Sequence, residues 1–258
     1  MNPSRPLQPD PPPEAKPGEF VRTWAFCIGG IALAKGLSFL DPTRILAGNL
    51  AGVAALLFIA LPDNKLRRSG ERWDRYGLLW WGIGDARTWR AWGRGFALGL
   101  LACAVIFPPF LAGFYGYARL LPHLPVWFAR LAAPYSQSPA FHFRLPATFP
   151  LMILTQFLVV ALPEELFYRG WMQTRWAESE PGRRVRVLGA TLGAGFLATQ
   201  VLFAAGHLVV LEFWRLGTFF PGLLFGWLRA RTGDIAAPVT AHALSNLFIA
   251  VLEASFFG

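Results

Sequence analysis

The chain has 258 residues, 54% of them hydrophobic and 15% charged, with a mean hydropathy of +0.40. Soluble domains carry roughly 25% charged residues, so this composition points to a polytopic membrane protein, with the lipid bilayer as its first partner. The net charge of +9 does not imply nucleic acid, because the basic residues flank apolar runs and do not form a stripe on a polar domain.

Residues 1–19 hold seven prolines and no apolar run, which predicts a disordered Pro-rich tail and not a cleaved signal peptide. The first apolar segment, about residues 20–40, contains Lys35, which must snorkel or pack inward if the segment spans. A second span is expected over about 45–61. The stretch 63–94 then interleaves Trp73, Trp80, Trp81, Trp89 and Trp92 with seven arginines, a mixture suited to the headgroup layer. It reads as a cytoplasmic loop with an interfacial helix. A third span, about 96–117, is expected to be interrupted at Pro108-Pro109. The loop that follows carries His123 and His142, neither with a carboxylate or second histidine at helical spacing; both read as ordinary loop histidines. Cys27 and Cys103 sit inside apolar runs and no Cys-x-x-Cys occurs, which leaves neither a disulfide framework nor a zinc finger.

A fourth span, about 149–176, is followed by a polar link at 177–186, a fifth span over 187–211, a short sixth over 216–230 and a seventh over 235–257. The fold expected is therefore an all-α transmembrane bundle of about seven spans. With the N-terminus cytoplasmic, 18 lysines and arginines fall in inner segments and 5 in outer ones, which favours that orientation in a cell (inner or plasma) membrane. Three regions follow: the tail at 1–19, membrane helices with the basic loop at 20–146, and a C-terminal membrane core at 147–258.

The fourth span contains Leu162-Pro163-Glu164-Glu165-Leu166-Phe167-Tyr168-Arg169. An ionised side chain in hydrocarbon costs about 2.5 kcal/mol or more, so two abutting acids there require a reason. On a helix, Glu165 and Arg169 stand four apart with the acid N-terminal, the better orientation for an ion pair. Glu164 then points elsewhere and needs another partner, while Pro163 removes a donor and bends or loosens the helix. The plain alternative puts both acids at the membrane surface, paired with Arg169 and water. The other two histidines, His207 and His242, also fall in apolar spans, with Asn246 four residues after His242 on the same side.

Glu-Glu-x-x-x-Arg at 164–169, Phe-x-x-x-His at 203–207 and His-x-x-x-Asn at 242–246, in that order on the last membrane helices, resemble the three motifs of the CPBP (Abi) intramembrane proteases. That family includes the CAAX prenyl endoproteases. Arg231-Thr232-Gly233 before the last helix adds to the likeness, which covers about residues 147–258. The resemblance implies an intramembrane endopeptidase in which Glu164, with His207, activates a water. His242 and Asn246 would then serve the oxyanion, with Glu165, Arg169 and Phe203 in support. The substrate implied is a membrane-anchored protein or peptide. Family members have also been described as metalloproteases, and Glu164, His207 and His242 are the alternative zinc ligands; the metal-free glutamate mechanism, with no cofactor, is preferred because Asn246 suits an oxyanion donor better than a ligand. A proton-coupled transporter using the same three residues as a relay, or a non-catalytic binding relative, are the competing functions. Arginine outnumbers lysine 21 to 3, which fits a GC-rich bacterial genome and argues against literal CAAX substrates.

The catalytic reading carries a geometric requirement. Were the fourth helix to stop at Arg169 and the fifth to begin at Val187, Glu164 and His207 would lie roughly 8 and 30 Å from the inner face and could not meet. Either the fourth helix continues toward Trp176 or the fifth starts deeper, near Thr191.

Overall fold

A computed structural model describes residues 17–132, 140–179 and 182–257. The Pro-rich tail expected at 1–19 lies, up to residue 16, outside the described residues; from Pro17 the chain is already helical.

Seven principal helices follow: α1 (Pro17–Ser38), α2 (Leu50–Ser69), α3 (Ala86–Leu120), α4 (Phe149–Ser179), α5 (Ala194–Gly206), α6 (Phe219–Thr232) and α7 (Ala236–Phe257). The protein is an all-α polytopic membrane bundle. Four of the seven, α1, α3, α4 and α7, are long and apolar enough to cross a membrane by themselves. The others differ from the expected spans for local reasons. α2 ends in a charged stretch containing Lys65, Arg67 and Arg68, α5 with its following turn reaches only Val210, and α6 has 14 residues.

Helix ends follow their sequence signals. Gly70 and Gly233, with φ of 70° and 77°, close α2 and α6 in the left-handed conformation that glycine adopts without a Cβ penalty. Asp85 caps α3 through the Arg87 N–H, and Asp234 Oδ1 accepts from the Ala236 and Ala237 N–H groups at 3.0 and 3.3 Å to start α7. Two expectations are corrected. α3 is not interrupted: it runs unbroken through Pro108 and Pro109 and absorbs Trp89 and Trp92 of the presumed interfacial helix into its first turns. The link before α5 is not merely polar coil, for β1 (Val185–Val187) and β2 (Ala190–Leu192) pair as an antiparallel hairpin, with Val187 opposite Ala190.

α4 is the axis of the bundle. Residues 165–173 are all buried, the sign of a helix surrounded on every side. Pro163 does not break it; wide π-type turns over Thr155–Ala161 and Leu166–Met172 flank the segment Leu162–Glu165 and absorb the missing donor. On one side α1 and α2 pack an aromatic wall against α4: Phe58 lies 4.8 Å from Phe167, and Phe20 stands edge-on to Trp171 at 5.9 Å. On another side α3 meets α7 through small residues. A Cβ on Gly99 would stand 2.6 Å from Thr240 Cβ and 2.8 Å from the Ala237 carbonyl oxygen, so the backbones touch only because Gly95 and Gly99 are bare.

The depth requirement is met by both routes. α4 continues to Ser179, putting Glu164 about 22 Å from that end, and α5 begins at Ala194, putting His207 about 20 Å from its start. The hairpin takes up the residues that a helix from Val187 would have stacked beneath His207.

Candidate active site

α4, α5, α6 and α7 converge on a buried polar cluster. Arg169 and Glu165 are both 0% exposed and paired, Arg169 Nη1 donating to Glu165 Oε1 at 2.9 Å. The surface alternative is thereby overturned for Glu165, whereas the Glu164 side chain is 17% exposed. The same Glu165 oxygen lies 2.8 Å from His242 Nδ1, which joins α4 to α7. Since Arg169 holds that oxygen as an ionised acceptor, Nδ1 is the protonated ring nitrogen and the imidazole presents Nε2 to Glu164, 3.9 Å from Glu164 Oε2. That separation is too long for a direct hydrogen bond. Glu164 Oε2 and Glu165 Oε2 are buried and have no hydrogen-bond partner.

His207 sits just past the end of α5, in the turn His207–Val210, with Nδ1 2.8 Å from the Phe203 carbonyl oxygen. A carbonyl only accepts, so Nδ1 carries the proton and Nε2 is the free acceptor in the neutral ring. Glu164 and His242 are both within electrostatic range of His207. Phe203 separates and supports the two imidazoles. Its ring is edge-on to His207 at 4.8 Å and to His242 at 5.9 Å, and the Arg169 guanidinium lies over its face at 4.1 Å. Phe225 of α6 stacks on His242 at 4.8 Å with planes 14° apart, closing its other face.

Glu164, Glu165, Arg169, Phe203, His207 and His242 thus share one locality. Asn246 lies one turn beyond His242 and its amide donates to Gln156 Oε1 of α4 at 2.8 Å. One of its two N–H donors is so engaged.

Several partners were not singled out from sequence. Gln200 accepts from Arg169 Nη2 at 2.8 Å and donates to the Phe196 carbonyl at 2.9 Å and to Gln173 Oε1 at 3.3 Å, while Gln173 donates to the Gly226 carbonyl at 3.0 Å. Gly222 and Gly226 make room for this ladder: a Cβ on Gly226 would approach Gln200 Nε2 to 2.6 Å. From α1, Trp24 Nε1 donates to the Leu202 carbonyl at 3.1 Å and Lys35 Nζ to the Val209 carbonyl at 3.3 Å, gripping α5 on either side of His207. Lys35 packs inward, one of the two fates its position allowed. A signal for the amides existed: Gln156, Gln173 and Gln200 are polar residues inside apolar helices, the same criterion that drew attention to the acids.

The zinc alternative requires Glu164, His207 and His242 to reach one point at about 2.0–2.2 Å each. Among the described residues no trio of His, Cys, Asp and Glu side chains is so assembled, while both Nδ1 atoms are turned to protein acceptors, which leaves Nε2 of each ring as the nitrogen that a metal or a water would meet.

The fold and the buried cluster define a multi-pass membrane protein with an acid–imidazole centre inside its helices. Residues 146–248 match the family described as "Type II CAAX prenyl endopeptidase Rce1-like". The match spans all three motifs. No curated protein and no solved structure matches the chain.

Proposed function

We propose that this protein is an intramembrane endopeptidase that cleaves a membrane-anchored protein or peptide with a water activated by Glu164 and His207. The observation that carries the reading is Glu164 Oε2: a buried carboxylate oxygen without a partner, 3.9 Å from His242 Nε2 and within electrostatic range of His207. A buried acceptor left unpaired costs about 1–3 kcal/mol, and a catalytic water is the ligand that would satisfy it. The match of residues 146–248 to the Rce1-like endopeptidases supports the reaction class.

In the proposed step, Glu164 takes one proton of the water as its oxygen attacks the peptide carbonyl. Nε2 of His207, freed by the Nδ1 bond to Phe203, is the second acceptor beside it. In its doubly protonated form His242 keeps Nδ1–H on Glu165 and offers Nε2–H to the oxyanion. The cluster of two carboxylates, one guanidinium and one imidazolium is then neutral, which suits a dry site. The second N–H of Asn246 is the companion donor. Collapse of the tetrahedral intermediate breaks the C–N bond, and the proton held by Glu164 or His207 passes to the leaving amine.

The test is a comparison of wild type with Glu164→Gln and His207→Ala in the host membrane. A membrane protein or peptide that accumulates uncleaved in both variants, and is cut in vitro only by the purified wild type, is the expected result. Unchanged membrane proteolysis in Glu164→Gln would sink the assignment.

A further inference from the structure

Outside the cluster, a groove of about 680 Å³ lies between α3 and α6, open along the outer surface of the bundle. Leu98, Leu101 and Val105 form one wall, Leu224 and Leu228 the other, and the end is flanked by Arg94 and Arg231. Leu101 and Val105 are 62% and 63% exposed, so the wall faces outward and its natural cover is hydrocarbon. Both arginines are exposed, and among the described residues neither forms an ion pair.

Both lie at one level, for Arg94 is in the early turns of α3 and Arg231 in the last turn of α6. Arg231 is held there by the hairpin. Gly189, at φ 82°, leaves the space into which a Cβ would come within 2.8 Å of Arg231 Nε, and Trp227 Nε1 ties the hairpin to α6 through the Val187 carbonyl at 3.0 Å. From Arg94 to Val105 the wall runs about 16 Å along α3. That is about half of the roughly 30 Å hydrocarbon core, the depth of one leaflet.

We infer that this groove is a binding site for an anionic phospholipid, its phosphate held between Arg94 and Arg231 and one acyl chain laid along α3 and α6. Charge complementarity chooses the occupant. Two unpaired guanidiniums favour a headgroup with net negative charge over a zwitterionic one, and guanidinium forks match phosphate oxygens. An apolar wall one leaflet deep beneath them takes the chain. The α6 wall backs Phe225, which stacks on His242, so the lipid would lie one side chain from the buried cluster.

The full chain purified in detergent, mixed with equimolar phosphatidylglycerol and phosphatidylcholine and examined by native mass spectrometry, tests this. Wild type is expected to retain phosphatidylglycerol at least about fivefold over phosphatidylcholine. Arg94→Gln/Arg231→Gln should abolish that preference at an unchanged melting temperature, and Leu101→Trp, which fills the groove, should reduce retention of both lipids. Equal retention of the two lipids by wild type would mean ordinary boundary lipid and overturn the site. So would a preference that survives the double arginine variant, complete displacement by millimolar inorganic phosphate, or a dimer that holds no lipid.

Discussion

Two charged networks stand at different depths of the same bundle, and they are built on opposite principles. Near the charged end of α2, every oxygen of Glu71 is engaged. Oε1 accepts from Arg75 at 3.0 Å and Arg175 at 3.3 Å, and Oε2 accepts from the Tyr76 hydroxyl at 2.8 Å and the Ser69 hydroxyl at 3.2 Å. Arg75 reaches on to Glu178 at 2.9 Å, clamping the loop after α2 to the end of α4. In the cluster around Glu165 the pairing is incomplete: one oxygen of each glutamate and the Nε of Arg169 are buried without a partner. A network that satisfies every donor and acceptor is a fastener, whereas one that keeps acceptors open inside a dry core has capacity left for something that enters.

The largest effect should come from breaking the open network. His242→Ala removes both the Glu165 contact and the nitrogen facing Glu164, and peptide-bond turnover is expected to fall about 10²- to 10³-fold, measured as kcat on a cleaved membrane peptide. If instead the variant unfolds and a folded His242→Gln retains full turnover, the two networks are alike and the contrast fails.

Breaking the closed network should invert the outcome. Glu71→Ala leaves Arg175 buried without its carboxylate and should cost about 3 kcal/mol of stability, read as a lowered unfolding midpoint, with kcat per folded molecule unchanged. A specific loss of kcat would show that the clamp also sets the site.

Gln200→Leu sits between these cases. It takes away the 2.8 Å partner of Arg169 Nη2, leaving only the longer 3.4 Å contact to the Gly222 carbonyl. Expected are about 1–3 kcal/mol of destabilisation and a drop in turnover smaller than that of His242→Ala. Rescue by Gln200→Glu of stability but not turnover would locate the effect in Arg169.

The smallest effect belongs to the surface. Asp85 caps α3, and its hydrogen bonds from Arg87 hold its carboxyl below the ordinary range. A lowered folded value means the stabilisation is complete above the unfolded value of about 3.9 and fades as pH falls through the lower one. Asp85→Ala should therefore reduce the melting temperature slightly at neutral pH, and the difference from wild type should vanish in acid.

Much of the site was legible because the cost of polar groups in hydrocarbon makes them conspicuous. The Glu165–Arg169 pair was readable from four-residue spacing alone, and the histidines and Asn246 from their apolar surroundings. Gln156, Gln173 and Gln200 satisfied the same criterion, yet an uncharged amide signals weakly beside an acid, and its partners lie 27 to 90 residues away. Pro108-Pro109 pointed to a break that did not form, since the helix carried on without the lost donors, whereas at Pro163 the expected loosening took the form of widened turns on either side.

By itself the sequence determined that this chain is a helical membrane protein and which side chains are too costly to be idle, because those properties follow from composition and spacing. Only the tertiary structure decided the depth at which they meet. A hairpin before α5 and ten further residues on α4 raise His207 and Glu164 to one level. It also decided that Glu165 carries His242 as well as Arg169 while Glu164 stays open, because carboxylate partners are chosen by side chains brought in from other helices.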